Sequence, residues 1–249
     1  MMRKFDMAAA WDDARQLMRS YTALTVAIAA VFLFLPALAF AWLGPAPVAP
    51  TEGMGIDQIV RIYEQNMVQS LVPRIGVALA ALIGTAAILR LWLARGGVSV
   101  GESLAFALAL FPTLIAIELL TSLAFALGLL LLIVPGLYLV GRLAVTVPAA
   151  IDRGIRNPID AIRTSWRLTD DNGWSIFFFL LLVTLVIGII SVIAGVVTMS
   201  LFGAEAGAGK IVSGLVGAAF IAAGSFVSLA VSAAIYRQLA AEGTAGVFE

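Results

Sequence analysis

Residues 103–151 read SLAFALALFPTLIAIELLTSLAFALGLLLLIVPGLYLVGRLAVTVPAAI, an apolar stretch twice as long as one membrane crossing needs. A hydrocarbon layer about 30 Å thick takes about 20 apolar residues of helix. One straight helix of this length would project far out of the bilayer, so the stretch holds two helices, Ser103–Ala126 and Leu129–Ile151. The reading places the turn near Leu127-Gly128 and treats Pro135 as a kink inside the second helix. A turn at Pro135-Gly136 is the rival, and it would leave that helix short.

Further runs of the same kind lie on either side. Tyr21–Leu43 carries no charge, Ile75–Ala94 carries Arg90 one turn from its end, and Trp174–Thr198 and Ile211–Tyr236 follow the central pair. The expected fold is all-α: a polytopic bundle of six transmembrane helices forming one integral membrane domain over residues 1–249. Composition points the same way. The chain is 62% hydrophobic and 12% charged, against about 25% charged residues in a soluble domain. The polar residues are too few to clothe a soluble core, which leaves lipid as the solvent of the apolar surface. Ala37-Leu38-Ala39 offers a small-residue cleavage pattern. Asp6, Asp12 and Asp13 in the preceding segment favour a retained first span over a signal peptide.

Basic residues orient the bundle. With the N-terminus in the cytoplasm, Arg3, Lys4, Arg15, Arg19, Arg95, Arg153, Arg156, Arg163, Arg167 and Arg237 fall inside. Only Arg61, Arg74 and Lys210 fall outside. Both termini are therefore expected on the cytoplasmic side. Three segments beside the spans are amphipathic. Phe5–Tyr21 aligns Trp11, Ala14, Met18 and Tyr21. Ile56–Val72 aligns Ile56, Ile59, Val60, Tyr63, Met67 and Leu71, with Pro73 then expected to break or kink the chain. Asn157–Thr169 opens with a capping Asn157 and with Pro158 at the first helical position, and aligns Ile159, Ile162 and Trp166. Each either lies along the membrane surface or packs as a connector.

The chain has no Cys and no His. That removes disulfides, thiolate and imidazole chemistry, lipid attachment through Cys, and the soft-ligand metal sites. Zero net charge argues against nucleic acid. No nucleophile–base arrangement is visible, so neither enzymatic activity nor a cofactor or metal is expected. An ionisable residue inside the membrane is a functional candidate by default. Three qualify: Glu118, Arg142 and Arg90. Arg90 is close enough to the membrane edge to snorkel. Glu118 and Arg142 lie on consecutive antiparallel helices, and both are expected to point into the bundle. They form either a substrate or proton site, or an ion pair that only holds the helices together. Arg153, Arg156, Arg163 and Arg167 cluster where anionic headgroups would lie, although such a cluster also serves as a plain orientation signal. Small residues of the last helix, Gly214/Ala218 and Ser228/Ser232, are spaced for close helix packing within the chain or for a second copy.

The order Leu-Leu-Leu-Ile-Val-Pro-Gly-Leu-Tyr-Leu-Val-Gly-Arg-Leu (Leu130–Leu143), Val-Pro-Ala-Ala-Ile-Asp-Arg-Gly (Val147–Gly154) and Asn-Pro-Ile-Asp-Ala-Ile-Arg-Thr-Ser-Trp-Arg-Leu-Thr (Asn157–Thr169) resembles a known family. It is similar to the membrane domain attached to some bacterial glycerophosphoryl diester phosphodiesterases, and to free-standing YciC-type membrane proteins. Ala9-Ala10-Trp11-Asp12-Asp13-Ala14-Arg15 is similar in kind, and the six-helix layout extends the resemblance along the chain. It implies a bacterial inner-membrane protein. It does not imply the phosphodiesterase activity, which belongs to a separate barrel domain with catalytic His and metal-binding carboxylates. Two functions are expected from these features. The first is a non-enzymatic structural or accessory component that engages lipids, a partner membrane protein or a second copy. The alternative is a transporter of small solutes or lipids built on Glu118 and Arg142.

Overall fold

A computed structural model describes residues 4–20, 22–94, 96–203 and 207–245, with side chains over the same residues except 22 and 242–245. The described residues form helices and no strands: α1 (Met7–Arg19), α2 (Thr22–Ala29), a π turn (Ala30–Phe34), α3 (Leu35–Leu43), α4 (Ile56–Leu93), α5 (Val100–Leu131), α6 (Ile133–Leu143), α7 (Thr146–Arg153), α8 (Pro158–Leu168), α9 (Gly173–Phe202) and α10 (Ala208–Ala245). Six helical stretches among them are long and apolar enough to cross a membrane: Ala23–Leu43, Ile56–Leu93, Val100–Leu131, Ile133–Arg153, Gly173–Phe202 and Ala208–Ala241. The chain is an all-α membrane bundle.

The first span runs through α2 and α3. Pro36 has no N–H to offer the carbonyl of Phe32, and the π turn Ala30–Phe34 sits immediately before it. Phe32 then packs against α4, where the missing side chain of Gly84 leaves it room: a Cβ there would fall 2.5 Å from that of Phe32. At the other end of the span Trp42 donates to the carbonyl of Ile211 (3.3 Å), and Gly214 of α10 makes way for its indole. Ala218 is buried against Ala37 and Leu38. Thus Gly214 and Ala218 serve packing within the chain.

Three expectations change. The expected turn at Gly128 lies within α5, which continues to Leu131, and α6 begins at Ile133. The reversal occupies Leu132 alone. Gly128 and Gly136 are instead the crossing point of the two helices: a Cβ on Gly128 would lie 2.8 Å from Cα of Gly136. Pro135 therefore stands in the first turn of α6, where its missing N–H costs least, and it does not kink a helix interior. The helix does break at Ala144–Val145, ahead of Pro148.

Second, the stripe from Ile56 to Leu71 is not a separate interfacial helix. α4 runs unbroken through Pro73 for 38 residues, and Ile56, Val60, Tyr63, Met67 and Leu71 remain exposed on its outward side. Asn66 holds the preceding loop along it, accepting from the Val48 N–H and donating to the Val48 carbonyl, both at 2.9 Å.

Third, α1 packs with a face turned partly away from the expected one: Ala14 is buried and Met18 packs against the core as the stripe implies, but Trp11 does not. Ala10, Ala14 and Leu17 are buried while Trp11 is exposed. α1 docks across α10, with Asp13 3.2 Å from Arg237. Its entry is fixed by the Phe5 N–H donating to Asn172 Oδ1 (2.8 Å) and by the Phe5 ring against Phe179. Tyr21, on the expected stripe, lies outside the described residues.

Candidate functional site

α8 forms as its sequence requires. Asn157 accepts from the Ile159 N–H (3.0 Å), and Pro158 fills the first helical position. Its small polar side, Ala161, Thr164 and Ser165, turns inward, and Ile159 and Trp166 turn outward. This orientation brings the end of α8 onto the end of α6, where Arg142 lies.

Arg142 is 2% exposed. Its Nη1 donates to the Thr169 carbonyl (2.8 Å) and to Asp170 Oδ1 (3.0 Å). The guanidinium carbon sits 4.4 Å from the centre of the Trp166 ring and 5.7 Å from that of Tyr138. A planar, weakly hydrated cation suits such a stacked site. The backbone is engaged as well. The last carbonyls of a helix have no partner within it, and here side chains supply them. Ser165 Oγ donates to the Arg142 carbonyl (2.8 Å), Thr169 Oγ1 lies between that carbonyl (3.1 Å) and the Ser165 carbonyl (2.8 Å), and Thr146 Oγ1 donates to that of Leu143 (2.8 Å). Pro148 has no N–H for the Ala144 carbonyl, which accepts instead from Ser232 Oγ of α10 (2.6 Å). One step along α6, a Cβ on Gly141 would strike the carbonyl of Gly173, so the start of α9 touches α6 backbone to backbone.

Glu118 has no share in this. The expected approach to Arg142 is not found: the ion pair of Arg142 is with Asp170. Glu118 is exposed, correcting the expectation that both charges point inward. The reason is helix phase. Ile117 takes the inward position and packs with Ala150 and Ala161, and the next residue is turned about 100° from it. That packing also sets Glu118 at the level of α7 and α8, where Thr113 Oγ1 donates to the Arg156 carbonyl (2.8 Å).

Arg153, Arg156, Arg163 and Arg167 are all exposed, two around the end of α7 and two along α8. Arg163 lies 3.7 Å from Asp160, a surface pair worth little. Arg153 Nε donates to Tyr236 Oη (3.4 Å), whose own O–H donates to Asp152 (2.6 Å). A shallow hollow of about 600 Å³ runs beside α8, lined by Asp160, Ile162, Arg163, Thr164, Trp166 and Arg167. Trp166, Trp174 and Ile159 are exposed beside these cations. Arg90 lies with its guanidinium 4.4 Å from the Phe106 ring, at the rim of a crevice of about 480 Å³ that also holds Asp152.

A lateral groove of about 580 Å³ separates α9 from α10 and is lined by Thr184, Ser191, Thr198, Ser213, Gly217 and Ser228 among others. Ser191, Thr198 and Ser213 spend their hydroxyls on carbonyls of their own helices. Among the described residues no group of three or more acidic side chains is placed to hold a metal ion.

Sequence reasoning missed Ser165, Thr169, Asp170 and the Gly141–Gly173 contact. For Thr169 and Asp170 the only signal was a short polar segment, Thr169–Asn172, ahead of a long apolar run; Ser165, Gly141 and Gly173 lie outside it. Comparison of the chain with models of known families, with curated proteins and with solved structures finds no match in any of the three.

Proposed function

We propose that the protein is a non-enzymatic accessory component of a bacterial inner membrane that engages anionic lipid headgroups through its arginine-rich face. The observation that carries this reading is the arrangement around α8. Exposed Arg153, Arg156, Arg163 and Arg167 stand beside exposed Trp166, Trp174 and Ile159. Aromatic rings favour the headgroup level, and each basic side chain there contributes about 1 kcal/mol of attraction to an anionic surface. By the distribution of Lys and Arg this face is cytoplasmic, as are both termini. The surface would equally suit a partner membrane protein with an acidic edge.

The alternative is a transporter of small solutes or lipids using the Glu118/Arg142 region; a continuous polar cavity reaching Glu118 would mark it, and Arg142 is engaged by Thr169 and Asp170.

The test is lipid retention. Purified protein in nanodiscs of mixed phosphatidylglycerol and phosphatidylcholine should hold an excess of phosphatidylglycerol, measured by native mass spectrometry. Changing all four arginines to Gln should abolish that excess. Equal retention by parent and variant would leave the arginines only their orienting role. Reporter fusions at Asn157 and Glu249 should report cytoplasm, with one at Gly53 reporting the opposite side. A cytoplasmic signal at Gly53 would overturn the orientation.

A further inference from the structure

α5 and α6 are both apolar enough for a membrane, but their placement against α9 limits how far they reach. α9 begins at Gly173, just after Asp170, Asp171 and Asn172, and its 30 uncharged, mostly apolar residues give about 45 Å of helix, enough to cross completely. Gly173 therefore marks the membrane edge on the arginine-rich face. Gly141 touches Gly173 and Arg142 binds Asp170, so the end of α6 lies at that same edge. From there α6 rises for only 11 residues before the chain reverses at Leu132. At about 1.5 Å per residue that is about 16 Å, about half of a 30 Å hydrocarbon layer. The other half of the apparent span, α7, does not extend this arm across the bilayer. Ala149, Ala150 and Ile151 are wholly buried in protein, and Asp152 shares a crevice with Ala94 at the end of α4.

The tip is built for hydrocarbon. Leu130, Leu131, Leu132, Ile133 and Val134 are consecutive branched aliphatics, each at least 60% exposed. A turn in water would be polar. Backbone groups in lipid must be satisfied internally. Here a single residue makes the reversal, and both its groups are bonded: Leu132 N–H donates to Gly128 (3.0 Å), and its carbonyl accepts from Gly136 (3.3 Å). Pro135 has no N–H to leave orphaned. The paired glycines allow the two arms to meet without a loop.

We infer that α5 and α6 form a re-entrant hairpin that enters and leaves on the arginine-rich face, with its tip Leu130–Val134 among the acyl chains of that leaflet. The partner of this surface is lipid tail. Glu118, below the hairpin arm and level with α7 and α8, then meets water and headgroups.

The chain is free of Cys, so single thiols report position cleanly. Leu132→Cys and Leu130→Cys should be compared with Glu52→Cys, beyond the far end of the bundle, and Arg156→Cys, on the arginine-rich face. All four are reconstituted in full-length protein and exposed to a membrane-impermeant maleimide from each side in turn. Glu52→Cys and Arg156→Cys should label from opposite sides. Both tip thiols should label at least about tenfold more slowly from either side, because water is scarce there and the reactive thiolate is disfavoured. A nitroxide at Leu132 should also be relaxed by oxygen and shielded from a water-soluble nickel complex. Rapid labelling of the tip from the Glu52 side would show that the hairpin crosses completely. Rapid labelling from the Arg156 side would show that the tip never enters hydrocarbon. Either result overturns the inference.

Discussion

Two regions of this bundle each set one ionisable residue in an apolar run, and they treat it differently. At the junction of α6, α8 and α9, Arg142 is closed in by two aromatic rings, a carbonyl and a carboxylate. On the outer side of α5, Glu118 is left open at the level of the amphipathic helices. In sequence the two look alike. What separates them is what packs opposite. Small residues, Gly141, Gly173 and Ser165, let three helix ends converge on Arg142. Beside Glu118 the inward position belongs to Ile117. A lone charge in an apolar run therefore marks a helix junction in one case and an exposed helix side in the other.

The largest effect should come from closing the space that makes the Arg142 junction. Gly141→Val places side-chain atoms on the Gly173 backbone, which cannot move aside, and should cost about 3 kcal/mol or prevent assembly. Gly188→Ala in α9, where a Cβ meets nothing within 4 Å, should be tolerated in the same unfolding assay. Equal losses from the two would remove the junction from the account.

A smaller loss is expected from Ser232→Ala, which strands the Ala144 carbonyl that Pro148 leaves without a partner. The expected cost is about 1–2 kcal/mol, the penalty of a buried unsatisfied acceptor. Restoring a donor with Ser232→Thr should recover part of it, and a Ser232→Ala variant as stable as the parent would show that another donor supplies that carbonyl.

The region around α1 offers the smallest effect, and one that depends on pH. Burial pushes the Asp13 carboxyl above its usual range, and Arg237 offsets this only in part. The folded state thus binds this proton more tightly than the unfolded state does. This group's contribution to stability grows as pH falls through the folded pKa and is complete below the ordinary carboxylate value of 3.8. Mild acidification should therefore leave α1 docked, as read from protection of its amides from hydrogen exchange. Asp13→Asn should remove the pH dependence. Release of α1 on acidification would mean that the Arg237 pair dominates.

Much of the fold was legible because apolar length survives any tertiary arrangement. The six stretches, the Asn157–Pro158 helix start and the packing role of Gly214 and Ala218 all follow from local chemistry. The turn was misplaced because Gly128 reads as a breaker, whereas here its missing side chain serves a helix crossing. Of the two outcomes expected at Pro73, the break does not occur, since α4 continues through it. The face of α1 was half legible: Ala14 and Met18 pack inward as the stripe implies, while Ala10 and Leu17 rather than the larger Trp11 complete the buried side. The candidate site was half legible. Arg142 stood out as a charge, but its partners lie 27 and 28 residues away at the end of another helix, and nothing in their spacing announces the contact.

The comparison between the two charges is tested most directly by paired double-mutant cycles in reversible unfolding from mixed micelles. Arg142→Gln is combined with Asp170→Asn in one cycle and with Glu118→Gln in the other. Glu118→Gln alone should change stability by no more than about 0.5 kcal/mol, as expected of an exposed position. Arg142→Gln should cost about 2 kcal/mol through its lost charge-assisted bonds. Arg142 and Asp170 should couple by about 1 kcal/mol, a modest value because Asp170 is itself largely open to solvent. Arg142 and Glu118 should show simple additivity. Coupling of Arg142 to Glu118, with none to Asp170, would contradict the account.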